Sequence, residues 1–296
     1  MFEYIILAIA LIGTGLAGWQ DFKTTGVEDK YAVFMGLGGI LIHFINSYLT
    51  GIWTGFYQSL IVGSAFLIFG YLMYYSHQWG EADVLILGAL GFLIPTSLSI
   101  FVHSLAFPYY PILFLATVFI IGGVYSILYS FWVAFRTDDF FKNLSDRLVS
   151  YSGTFLNLTV AIFIISIFSL GYVMNNLNVY IDLITRQFVL MYMFFIAGFV
   201  LIAFSKTIDK FAFRKQVDTS DLIEGDVLAE NIVISDDKYS KKLDGKLFIG
   251  LEADDIKIIR QIRKKVWVKE GIPFVPAFFF SVVFMWLFGN VFTFMF

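Results

Sequence analysis

Eight stretches of this chain are apolar for long enough to cross the hydrocarbon layer of a membrane, and a chain built that way has few folds open to it. They run from about 3 to 20, 31 to 49, 57 to 76, 83 to 105, 111 to 135, 153 to 174, 187 to 205 and 273 to 295. A layer roughly 30 Å thick calls for about 20 apolar residues in a helix. The runs are continuous and do not alternate, which selects helices over a β-barrel. With 59% hydrophobic and 15% charged residues and a mean hydropathy of +0.80, the chain lacks the polar surface to cover a soluble globule. It reads as an all-α polytopic membrane protein of about eight transmembrane helices. Pro95 would kink or end the fourth helix, so a short span followed by a re-entrant stretch is the alternative there.

The first run has no positive n-region and is followed at once by Asp21, so it reads as a retained helix and not as a cleavable signal peptide. Basic residues gather in cytoplasmic loops. Lys23 and Lys30 follow the first run, Arg136, Lys142 and Arg147 follow the fifth, and fourteen more lie between Lys206 and Lys269. With alternating spans these 19 of the 20 Lys and Arg share one side, and only Arg186 is opposite. The expected arrangement is a multi-pass protein of the cell membrane with both termini outside.

Three parts follow: a membrane domain over 1–205, a soluble cytoplasmic domain over 206–272, and a last transmembrane helix over 273–296. The soluble segment carries fourteen basic and thirteen acidic residues and is near neutral. Its residues 226–228, 232–234 and 246–249 read as short strands. Residues 251–265 read as an amphipathic helix with Ile256, Ile259 and Ile262 at helical spacing. A small α+β module is expected, loosely similar to β-rich modules attached to regulatory and membrane proteins.

Most motifs have plain structural readings. Gly13-Thr14-Gly15-Leu16-Ala17-Gly18 matches a dinucleotide fingerprint, but no strand precedes it, so close helix packing is expected there and at Gly36, Gly39, Gly88 and Gly91. His43, His77 and His103 are too scattered to form a metal-binding HExxH, and no GxSxG elbow is present. His77 reads as an interfacial residue that could border a site. The chain has no cysteine, which removes disulfides, thiol nucleophiles and thiolate metal sites. No metal, no cofactor and no nucleic acid is implied.

Two acids remain. Asp21 ends the first apolar run and Asp83 begins the fourth. With alternating spans both meet at the cytoplasmic edge. A carboxylate at membrane depth is costly and marks a functional site. Two of them brought together share a proton, which separates one acid from one base.

Gly80-Glu81-Ala82-Asp83 followed by Val84-Leu85-Ile86-Leu87-Gly88-Ala89-Leu90-Gly91 resembles the GxGD motif and its continuation in type IV prepilin peptidases, and Asp21-Phe22-Lys23 resembles their first catalytic aspartate with its trailing basic residue. The segment after Gly271 and the domain before it are similar to archaeal members that process pilin and archaellin precursors. Leu85 stands where that pattern has lysine, and the cysteine loop of bacterial relatives is absent. The resemblance implies an aspartyl endopeptidase without methylation activity. Asp21 and Asp83 would be catalytic, Gly80, Glu81, Ala82 and Lys23 would contact the substrate, and the partner would be a precursor with a basic leader before a hydrophobic helix. Pro276-Ala277-Phe278 is similar to the Pro-Ala-Leu of presenilin-like intramembrane proteases, a second reading. A transporter or scaffold, whose acids pair with ions or helices, is the non-enzymatic one.

Overall fold

The fold is given by a computed structural model, which describes residues 2–102, 107–176, 181–236, 239–243 and 250–289. Three long helices come first, α1 (Phe2–Thr24), α2 (Lys30–Thr50) and α3 (Thr54–Tyr75), and then the short α4 (Glu81–Leu93). They are followed by α5 (Tyr109–Arg136), α6 (Phe140–Ser150), α7 (Ser152–Asn176) and α8 (Ile181–Phe211). A small α+β segment then leads to α10 (Val275–Phe288). Five helices, α1, α2, α3, α5 and α8, are long and apolar enough to cross a membrane, and a sixth crossing follows if α6 and α7, bent by 53°, act as one. The chain is a polytopic helical membrane protein. Among the described residues its helices number fewer full spans than the eight apolar runs suggested.

With α6 and α7 counted as one crossing, the shortfall lies in the fourth and last runs. The helix expected from 83 to 105 stops at Leu93 after 13 residues, and the last is 14 residues long among those described. Pro95 ends α4 because it lacks an amide proton and forces Ile94 out of helical geometry, at φ −126° and ψ 71°. Irregular backbone survives at membrane depth only where protein covers it and its polar groups find partners. Both conditions are met. Ile94, Leu98 and Phe101 are buried. The last carbonyls of α4 are taken by side chains of its neighbours: Ser59 Oγ of α3 donates to the Phe92 oxygen at 2.6 Å, and His43 Nε2 of α2 to the Leu93 oxygen at 3.1 Å. The irregular segment after α4 runs through bends and a turn at 98–101, where the Ser99 hydroxyl donates to the Glu3 carboxylate and Val102 N–H to the Trp286 carbonyl.

By their contacts, residues 1–129 with 271–296 form one compact unit and residues 130–270 another. In the first unit α4 is the central element, packed against α2, α3, α1 and α10. Its Val84, Leu87, Leu90 and Leu93 are fully covered. Small residues let the backbones meet, as the glycine pattern suggested. A Cβ on Gly39 would lie 2.6 Å from the Leu93 Cα, and one on Gly91 would lie 2.9 Å from the Gly63 Cα. The helices α1 and α10 run antiparallel in similar contact, with Gly18 against Pro276 and Gly15 against Phe279.

In the second unit the amphipathic α6, which the apolar-run reading overlooked, buries Phe140 against Phe204 of α8, with Ala134 and Ile208 in the same cluster. Beyond α8, β1 (Arg214–Asp218) pairs antiparallel with β4 (Lys265–Lys269), and β2 (Ile232–Asp236) with β3 (Tyr239–Leu243). Between β3 and β4 in sequence comes α9 (Ala253–Ile262), shorter than the expected 251–265. Its Ile256 and Ile259 are buried with Leu222, Leu228, Leu251, Val266 and Val268, while Ile262 is exposed. Arg260 donates to the carbonyls of Thr219, Ser220 and Leu222 at 2.9 to 3.2 Å, holding that turn against α9. Residues 226–228 supply only a bridge from Leu228 to Val268, and the strand expected at 246–249 lies outside the described residues, as does His103.

Candidate active site

Each of the two aspartates is held by the amide of a helix start. Asp21 sits in the last turn of α1, and its carboxylate accepts the Val275 N–H, the first amide of α10, at 3.0 Å. The opening amides of a helix have no partner within it, and Pro276 next door has no N–H at all. A carboxylate from α1 thus caps α10. Asp83 is the third residue of α4 and accepts the Gly80 N–H, just before the helix, at 3.0 Å. The dipole of α4 favours a negative charge at Asp83 and that of α10 favours one at Asp21, where the C-terminal end of α1 opposes it.

Both carboxylates are nearly covered, with Asp21 6% and Asp83 8% exposed. They lie within electrostatic reach of each other. Among the described residues, neither forms an ion pair. Two buried acids with one amide donor each and no basic partner are an expensive arrangement, which folding alone does not explain. The structure brings α1 and α4 together at this point through α10, which packs on both.

The other residues singled out from the sequence are placed unevenly around the pair. Gly80 and Glu81 are exposed, and Ala82 is half-buried against the core. A Cβ on Gly80 would meet Asp83 Oδ2 at an ordinary 3.6 Å, and its φ of −80° suits any residue, so the fold does not require glycine there. Lys23 is exposed, with its ammonium 4.5 Å from the ring centre of Trp19 one turn earlier. His77 is exposed in the turn before Gly80, with φ of 57°. His43, at the far end of α4, is a carbonyl partner and not part of this site.

Three participants had no sequence signal or a faint one. The Val275 amide is a backbone group, and only the flanking Pro273 and Pro276 marked a helix start there. Trp79, directly before Gly80, is half-buried among Phe69, Phe119, Phe274 and Phe278. Tyr125 of α5 lies within electrostatic reach of Asp21, and its hydroxyl is buried with no hydrogen-bond partner in the structure. Nothing in a run of apolar and aromatic residues distinguishes that tyrosine.

No family model matches the chain, and no solved structure matches it. Among curated proteins it is similar to the preflagellin peptidase of Methanococcus maripaludis (strain C6 / ATCC BAA-1332), with 30% identity over 143 residues. The match covers 46% of this chain and 59% of that relative. The chain therefore spans less than two thirds of the relative's length.

Proposed function

We propose that this protein is a membrane-embedded aspartyl endopeptidase of the GxGD type that removes the short basic leader from type IV pilin-like or archaellin precursors. The observation that carries the proposal is a pair of buried carboxylates without an ion-pair partner among the described residues, Asp21 and Asp83, held from separate helices by two helix-start amides whose preceding rings pack on each other. The partial likeness to a preflagellin peptidase supports the substrate class.

In this reading one carboxylate removes a proton from water, which attacks the scissile carbonyl carbon, while the other gives its proton to the carbonyl oxygen. The tetrahedral diol then collapses as a carboxyl group returns a proton to the leaving amine. The Val275 and Gly80 amides orient the two acids throughout. Gly80 and Glu81 are exposed at the start of α4 beside Asp83, where a substrate backbone can approach and Glu81 can attract a basic leader residue. Ala82 and Lys23 complete the proposed contact set. In this reading the one-sided basic residues support a cytoplasmic site and a cytoplasmic 206–272 segment, with both termini outside.

The test is co-expression with a candidate precursor, read as a gel shift. Asp21→Asn and Asp83→Asn should each abolish cleavage in a folded protein, and retained cleavage in either would remove the acid–base pair. A presenilin-like cut inside the substrate helix is the second reading, because Pro276-Ala277-Phe278 opens α10 beside the Val275 amide that Asp21 accepts. Mass spectrometry of the product separates the two: a cut before the hydrophobic helix supports leader removal, and one within it supports the second reading.

A further inference from the structure

We propose that Trp79 and Phe274 form an aromatic clamp that sets the separation of the two carboxylates, making them positioning residues of the reaction. The inference rests on the assignment of Asp21 and Asp83 as the reacting pair. Each carboxylate accepts an amide that directly follows one of these rings: Gly80 N–H follows Trp79, and Val275 N–H follows Phe274. The two rings pack on each other with centroids 5.7 Å apart. A displacement of one ring relative to the other is passed to the adjacent amide and so to its carboxylate.

The clamp is braced on several sides. Trp79 stacks on Phe119 of α5 at 5.6 Å and 25°, and meets Phe278 of α10 and Phe69 of α3 edge-on at 5.9 and 6.0 Å. Phe274 also packs edge-on against Phe278 at 5.7 Å. Its ring tip occupies the space beside Gly122 of α5, where a Cβ would come within 2.5 Å. Aromatic rings suit this task because they are rigid, with two side-chain torsions, and their edge and face preferences fix a mutual angle. No polar group of either ring contacts Asp21 or Asp83, so the effect on chemistry runs through backbone position alone.

Tightly placed catalytic groups lose on the order of 100-fold in rate for a misplacement of about 1 Å. The interaction between two acids also falls with separation, so their two macroscopic ionisations draw together when the clamp is loosened. The other titratable groups beside the pair are Tyr125 of α5, near Asp21, and the exposed Lys23 and Glu81, each two residues from one of the aspartates. The clamp variants leave them in place.

The experiment uses the full-length protein in lipid nanodiscs, with a purified precursor as substrate and rates normalised to folded protein. Trp79→Ala should lower kcat by about 30- to 100-fold with KM changed less than about threefold, narrow the pH–rate profile, and be rescued to within about fivefold by Trp79→Phe. Gly122→Ala, which pushes on Phe274 from α5 and touches neither aspartate, should reproduce the narrowed profile with a smaller loss of kcat. Unchanged kcat and an unchanged profile in both variants overturn the clamp, and so does a rise in KM alone, which makes Trp79 a substrate contact. Asp21→Asn and Asp83→Asn run in parallel keep the two ideas apart. If both are inactive and the clamp variants behave as wild type, the clamp fails and the acid pair stands; if either aspartate variant cleaves normally, the acid pair itself fails.

Discussion

The helices around α4 and the helices α7 and α8 are similarly apolar, yet they make contact by different means. In the first group glycines are in direct contact with neighbouring backbone or rings, as with Gly39 on Leu93, Gly63 on Phe92 and Gly18 on Pro276. In the second, Gly153 and Gly198 face open space, and the helices meet through rings such as Phe155 on Phe195 and Phe199. Many of their large side chains, Phe163, Phe168 and Phe194 among them, are exposed. Lipid is as apolar as leucine, so hydrophobicity by itself does not drive such helices together, and association depends on close packing and polar contacts. The difference teaches that the close-packed group is the one able to hold two carboxylates at a set distance, because interlocked backbone leaves little room for drift.

The largest effect expected of any substitution is at the acid pair. Asp21→Asn or Asp83→Asn should reduce precursor cleavage by at least about 1,000-fold while the thermal unfolding midpoint in detergent changes little. A midpoint that collapses instead would show that the carboxylates serve mainly to hold α1, α4 and α10 together. Next comes the packing itself. Gly39→Ala should cost about 1–3 kcal/mol, seen as a lower midpoint, because its methyl group would meet the Leu93 backbone. An unchanged midpoint would remove the contrast between the two helix groups.

Gly80→Ala separates access from packing. The methyl group fits beside Asp83, so the midpoint should hold while cleavage falls about tenfold, measured as initial rate on the precursor. Normal cleavage would mean that no substrate backbone comes close at that position. The smallest effect is expected in α8, where Gly198→Ala should leave cleavage unaltered and raise stability by up to about 1 kcal/mol through helix propensity. A loss of stability there would reveal a contact of α8 beyond those among the described residues.

Three elements show where local reading succeeds and where it stops. The end of α4 was legible in part: Pro95 acts on its own neighbours through a missing amide proton and a steric clash, which marks a break there but does not choose between a kink and a stop. The α6 helix was not, because it is short and amphipathic and lies between two long apolar runs that dominate any hydropathy reading. The strand β1 was missed for a related reason. Arg214 to Asp218 is mostly polar and exposed, and only its partner β4 makes it a strand.

By itself, the sequence determined that the chain is a helical membrane protein, that glycines such as Gly18, Gly39, Gly88 and Gly91 mark close helix contact, and that Asp21 and Asp83 are the acids in need of a reason. These follow from hydropathy, from side-chain size and from the cost of charge in an apolar medium, all of which are properties of residues or of short windows. Tertiary structure decided the rest. That the two carboxylates come within reach of each other, that Val275 donates to Asp21, that His43 and Ser59 close the broken end of α4, and that Trp79 packs on Phe274 depend on residues up to 254 positions apart. Such contacts leave no periodicity or spacing in the chain, because the backbone between them can take any length without altering the geometry where they meet.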